Sequence, residues 1–111
     1  MNKIMINETN YNIISNLIGL IDKLSVIIYE RDNDEVFRLL INIIDRLDSI
    51  IGVKSILILE ENFKTYINEL NNKLPDLLSA FENNDNVLIS DILNYEIKPL
   101  LEKLAPNRYI N

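Results

Sequence analysis

Residues 77–104 read LLSAFENNDNVLISDILNYEIKPLLEKL, and the parsing of this stretch decides the fold. An apolar repeat with helical spacing runs as far as Phe81 and stops at the corner Asn83-Asn84-Asp85-Asn86. A second repeat begins there, with Asp85 or Asn86 placed to cap it, because a short side-chain oxygen can satisfy a free backbone amide. At about 100° per residue, Glu96 falls about 20° from Ile89, inside the apolar face and between Ile92 and Leu93. An ionised carboxylate there must pair or reach water, since burying it alone costs too much. The pattern predicts an Arg or Lys partner on a neighbouring helix, or a side chain that snorkels at a seam. Pro99 removes the hydrogen bond that the Tyr95 carbonyl would accept, which predicts a kink.

Outward from this stretch, three more helical stripes can be traced. Ile13, Ile14, Leu17, Leu20, Ile21, Leu24, Ile27 and Ile28 share one face of a first helix, with Asn7 or Thr9 as its cap. Gly19 falls on the outer side, where a surface glycine costs about 1 kcal/mol against Ala. Asp32 with Glu35 three residues on resembles a capping box. The second stripe follows, through Val36, Phe37, Leu40, Ile43, Ile44, Leu47, Ile50 and Ile51, with Gly52 as a left-handed stop. Ser55 can cap the third, which runs Ile56, Leu59, Phe63, Tyr66, Ile67, Leu70, Leu74, Leu77, Leu78, Phe81. That stripe holds its phase across Pro75, so one helix kinked near residues 71–74 is expected. The alternative is two helices, with Pro75 in the first turn of the second.

The expected fold is therefore all-α: a single domain over 1–111, with helices at about 9–31, 34–51, 55–83 and 86–104. Short corners favour antiparallel neighbours, so an up-down-up-down four-helix bundle with proline-kinked third and fourth helices is the predicted architecture. Composition agrees: 48% hydrophobic and 25% charged residues suit a folded domain, and 2 Gly with 3 Pro cannot turn many short strands.

Charge and residue types narrow the roles. A net charge of −6, with 11 Lys and Arg scattered singly, disfavours nucleic acid and anionic membrane surfaces. Without Cys or His the commonest thiolate, imidazole and general-base chemistries are missing. The residues Asp32-Asn33-Asp34-Glu35 lack the glycine and later bidentate Glu of a calcium loop. Asp45/Asp48 and Glu60/Glu61 have no histidine with which to build a di-iron site. No phosphate loop and no nucleophile–base set occurs. No metal, no cofactor and no catalytic residue is expected. Apolar runs stop at four residues and the N-terminus lacks a secretory core, so no membrane span and a cytoplasmic location are expected.

The last helix carries too much apolar surface: Leu88, Ile89, Ile92, Leu93, Tyr95, Ile97, Leu100, Leu101 and Leu104 cover roughly 240° on an ideal wheel. Tyr11, Ile18, Val26 and Tyr29 add a weaker outer stripe on the first helix. This excess predicts a non-enzymatic domain that binds a protein partner or a second copy of itself as a homodimer. The interaction residues expected are Leu88, Ile92, Tyr95, Glu96 and Pro99. A small-molecule or lipid carrier with a cavity beside Pro75 and Pro99 is the alternative.

The segment from Ala80 through Leu101, with Asp85, Asp91, Tyr95, Glu96 and Pro99 at its key positions, resembles the C-terminal part of small uncharacterised helical proteins of Firmicutes. Where that pattern often has Tyr after the corner aspartate, this chain has Asn86. The resemblance implies no activity; it does imply an association with motility and surface-glycosylation genes. Size and helix count are also similar to flagellar export chaperones of the four-helix type, without their motifs, so the likeness is one of fold alone; the binding role expected is chaperone- or adaptor-like.

Overall fold

In the computed structural model residues 8–30, 33–52 and 61–104 are described, and over them the chain is all-α with no strand. Helix α1 spans Glu8–Ile27, α2 Asn33–Gly52 and α3 Glu61–Glu82. The last helix, α4, runs continuously over 86–104 in three parts: an α-segment Asn86–Asp91, a π-helical turn Ile92–Ile97 and an α-segment Lys98–Leu104. Both α2 and α4 pack against α1 and against α3. Helix α1 ends four residues before the expected boundary, and its last turn closes with Ile28 N–H donating to the Leu24 carbonyl at 2.8 Å. Thr9 lies inside α1 and so cannot cap it, while the caps expected at Asn7, Asp32 and Ser55 lie outside the described residues. The apolar positions Ile56 and Leu59 lie outside them as well.

The core follows the predicted stripes where the 3–4 spacing is regular. Ile14, Leu17, Ile21, Leu24 and Ile28 of α1 are fully buried, as are Leu40, Ile43 and Leu47 of α2 and Leu70 and Leu77 of α3. Two expected core residues are half exposed: Phe37 at 50% and Leu78 at 40%. In their place Leu39 and Ala80, which the stripes omitted, are buried. The Phe37 ring instead lies against Phe81, centroids 5.3 Å apart, at the edge of the α2–α3 seam.

The Asn83–Asn86 corner is a boundary built from specific hydrogen bonds. Asp85 N–H donates to the Ala80 carbonyl (2.9 Å) and Asn84 N–H to the Phe81 carbonyl (3.1 Å), the paired closure of a Schellman motif. That closure needs a left-handed residue, and Asn84 supplies it with φ 54°. Asp85 then caps α4, its Oδ1 accepting from Leu88 N–H at 3.0 Å. Gly52 does not make the left-handed stop expected of it: it is the last helical residue of α2, and no described glycine has positive φ.

Pro75 sits within the single helix α3, which removes the two-helix alternative. The proline and Asn71, whose carbonyl loses its helical donor, are both exposed, so solvent can meet that carbonyl. At Pro99, where a kink is predicted, the structure records a change of register. Lys98 N–H donates to the Leu93 carbonyl, five residues back. The next donor in that register would be Pro99, which has none, so the π-turn ends there.

The π-turn rephases the helix. On an unbroken α-helix, the buried residues Ile89, Ile92, Leu93, Ile97, Leu100, Leu101 and Leu104 would spread over about 180°. With the extra residue taken up between Ile92 and Ile97, the same seven fall within about 105°. All seven are at most 5% exposed. Glu96 rotates the other way, from the middle of the apolar face to about 80° from Ile89 at its edge. The apparent 240° of apolar surface was in part a product of assuming a constant 100° step.

The corner offers a direct check. Asp85→Ala should lower the stability by about 1 kcal/mol in urea denaturation, the usual worth of an N-cap, whereas Asp91→Ala on the exposed side of α4 should change it by less than about half of that.

Candidate functional site on the last helix

Helix α4 is held along both flanks. On the α1 side, Asn86 Nδ2 donates to the Ile28 carbonyl (3.2 Å), Asn94 Nδ2 to Ser25 Oγ (2.8 Å), and Lys98 Nζ to Asp22 Oδ1 (2.6 Å). Ascending residues of α4 meet descending residues of α1, so the two helices run antiparallel. Asn94 also donates to the Ser90 carbonyl at 2.9 Å, and Ser25 in turn donates to the Ile21 carbonyl at 3.0 Å. The seam is therefore a chain of side-chain amide and hydroxyl groups tied back to two backbone carbonyls. The hydrogen bond that Lys98 donates to Asp22 raises the Lys98 pKa above the ordinary lysine value of 10.5, against the opposing pull of desolvation. A lysine shifted upwards stabilises the fold fully below that ordinary value and loses the contribution as pH rises through the folded one. At neutral pH the bridge is intact.

On the α3 side, Lys73 Nζ lies 3.2 Å from Glu96 Oε1, and Lys103 Nζ lies 5.5 Å from the centre of the Tyr66 ring. Residues 73 and 66 descend as 96 and 103 ascend, so α3 and α4 are antiparallel too. Glu96 thus has the lysine partner on a neighbouring helix that its position demanded. It is not a buried acid, however: its side chain is 41% exposed and that of Lys73 36%. The π-turn is the reason, because it carries residue 96 out of the apolar face. No described polar or charged residue is buried.

The five residues expected to form an interaction surface do not share one face. Ile92, 2% exposed, is committed to the core. Tyr95 is 76% exposed and faces away from the core, and Pro99 beside it is half-buried. Leu88, 43% exposed, lies with Glu96 toward the α3 flank. The outward face of α4 is made instead by Val87, Asp91 and Tyr95, one turn apart. Val87, 59% exposed, was missed because it lies outside the ideal-wheel stripe. Across the hydrogen-bonded seam stand two further exposed residues, Val26 (70%) near the end of α1 and Tyr29 (62%) in the turn after it. Of the outer stripe predicted for α1, Tyr11 and Ile18 are half-buried, and Ile18 packs against the core. Gly19 faces open space, with nothing within 4 Å of where a Cβ would stand.

At the corner end a cleft of about 400 Å³ opens between the start of α2, the end of α3 and the start of α4. Neither Pro75 nor Pro99 lines it. Among the described residues no group of three or more acidic side chains converges as a metal site would require, and no helix is long and apolar enough to cross a membrane.

Since Glu96 is a seam residue and not a buried one, Glu96→Leu should leave stability within about 1 kcal/mol of the parent in urea, the range of exposed ion pairs. A loss of several kcal/mol would instead mean that Glu96 anchors the core.

No curated protein and no solved structure matches this chain. A family model does match, over residues 6–107: Domain of unknown function (DUF8042). That span takes in all four helices, both flanks of α4 and the corner, and the chain belongs to this family.

Proposed function

We propose that this protein is a non-enzymatic helical adaptor that binds another protein, or a second copy of itself, through the outward face shared by α1 and α4. One observation carries the reading. Val26 on α1, Tyr29 in the turn that follows it, and Val87 and Tyr95 on α4 are each more than half exposed, where polar bonds hold the two helices side by side. Single exposed apolar residues are ordinary, but four of them on adjoining helix surfaces, two of them tyrosines, form an anchor set of the kind interfaces use. The antiparallel α1–α4 and α3–α4 pairs support an up-down-up-down bundle as the frame for this surface.

Catalysis is not part of the proposal, which also places the protein in the cytoplasm of a bacterium, with no role for nucleic acid, membrane, metal or cofactor. A Firmicutes source and the link to motility or surface-glycosylation genes rest on the resemblance of residues 80–101. The carrier alternative is motivated by two prolines, and the cleft at the corner end is lined by neither. The interaction reading therefore stands first.

Light scattering across a concentration series, on the parent and on a Val26→Ser, Tyr95→Ser double variant, tests it. The expected result is a dimer, or a retained partner from native lysate, that the double variant loses at an unchanged melting temperature. A strict monomer that retains nothing, or association indifferent to the two substitutions, would overturn it.

A further inference from the structure

A second surface opens at the corner end of the bundle, between α2, α3 and the start of α4, and has a different chemistry. The cleft at the corner end has an apolar floor, formed by Leu40, Ile89 and the two tilted, contacting rings of Phe37 and Phe81. Its apolar character continues along the α2–α3 seam. Ile41, one turn on from Phe37, is 38% exposed, and Leu78, one turn back from Phe81, is 40% exposed. An apolar track one helical turn longer than the cleft suits a polypeptide segment better than a compact small molecule.

The charged lining is acidic. Asp34 and Asn84 both line the cleft, and the exposed Glu82 and Asp85 lie within two residues of Asn84 in the chain. Among the described residues no lysine or arginine lines the cleft; Arg38, next in sequence to Phe37, is not among its walls. Two helix N-termini open here and bring partial positive charge, but Asp34 in the first turn of α2 and the Asp85 cap of α4 already answer it. What remains is a negative field around an aromatic floor, on a chain whose net charge is −6.

From this charge pattern we infer that the cleft docks a segment of a partner protein that presents a large apolar side chain beside Lys or Arg. The apolar side chain fills the space against Phe37, Phe81 and Ile89. The basic neighbour sits over the Asp34 rim, where it gains attraction from the carboxylate and from the exposed ring of Phe37. This surface is independent of the α1–α4 face, and either could fail without the other.

A random twelve-residue phage library, selected on the full-length immobilised chain, is the probe. The expected peptides carry an aromatic or large aliphatic residue adjacent to Lys or Arg. As synthetic peptides they should bind at least tenfold more weakly to Phe37→Ser and at least fivefold more weakly to Asp34→Lys. Raising the salt from 50 to 500 mM should weaken them, and Tyr95→Ser should leave them unchanged, which separates this site from the α1–α4 face. Should Phe37→Ser fail to fold, Asp34→Lys at the exposed helix start carries the test. Selection of peptides without basic enrichment, binding indifferent to Asp34→Lys, or no selection at all would overturn the inference. So would a self-association that Phe37→Ser abolishes, since a second copy would then cover the cleft.

Discussion

The packing of the last helix depends on one constraint: seven apolar side chains spaced largely by fours must face a single core. Ile89, Leu93, Ile97 and Leu101 recur every four residues, and on a 3.6-residue helix each step drifts by about 40°. Left uncorrected, the drift would carry Leu101 to the flank and hold Glu96 in the apolar face. The π-turn between Ile92 and Ile97 absorbs one residue and reverses both displacements. Full burial of a Leu or Ile contributes roughly 1.5–3 kcal/mol, and an unpaired buried carboxylate costs several. Both gains act in the same direction, against the strain of a rare helical register. Pro99 limits the turn, because it cannot donate the bond that would extend it.

The flanks follow from the same rotation. With residue 96 at the edge, Glu96 meets Lys73, and Lys103 two turns further lies over Tyr66. On the opposite edge Asn94 and Lys98 come to Ser25 and Asp22. These polar contacts add little stability singly. They set register, holding α4 between α1 and α3 so that its outer face, with Val87 and Tyr95, lies across the seam from Val26 of α1 and from Tyr29 in the turn after it. The surface proposed for recognition is thus a by-product of how the core is phased.

Much of this was legible in the sequence. The regular stripe of α1 marks its buried face correctly, and the Asn83–Asn86 corner announces a helix boundary with Asp85 or Asn86 as the next cap, of which the structure uses Asp85; the left-handed Asn84 was not anticipated. The lysine partner of Glu96 could be argued from the cost of burying charge. Other features were not legible because they depend on tertiary contact. Phe37 leaves the core for the ring of Phe81, and Leu39 and Ala80 take up space that only the packed neighbours define. Ile92 looked like part of a surface because a wheel cannot say which side faces the core. The π-turn did leave a trace, in a fours spacing followed by a proline, and that trace reads as excess apolar surface as long as a constant 100° step is assumed.

Leu101 separates the two phasings most directly. Denaturation of Leu101→Ala in urea, with an unchanged m-value as a check on two-state unfolding, measures whether this side chain is in the core. Rephasing by the π-turn predicts a loss of about 2–5 kcal/mol, as for other buried leucines. A loss below about 0.5 kcal/mol, the range of surface positions, would contradict it and return Leu101 to the flank of an uninterrupted α-helix.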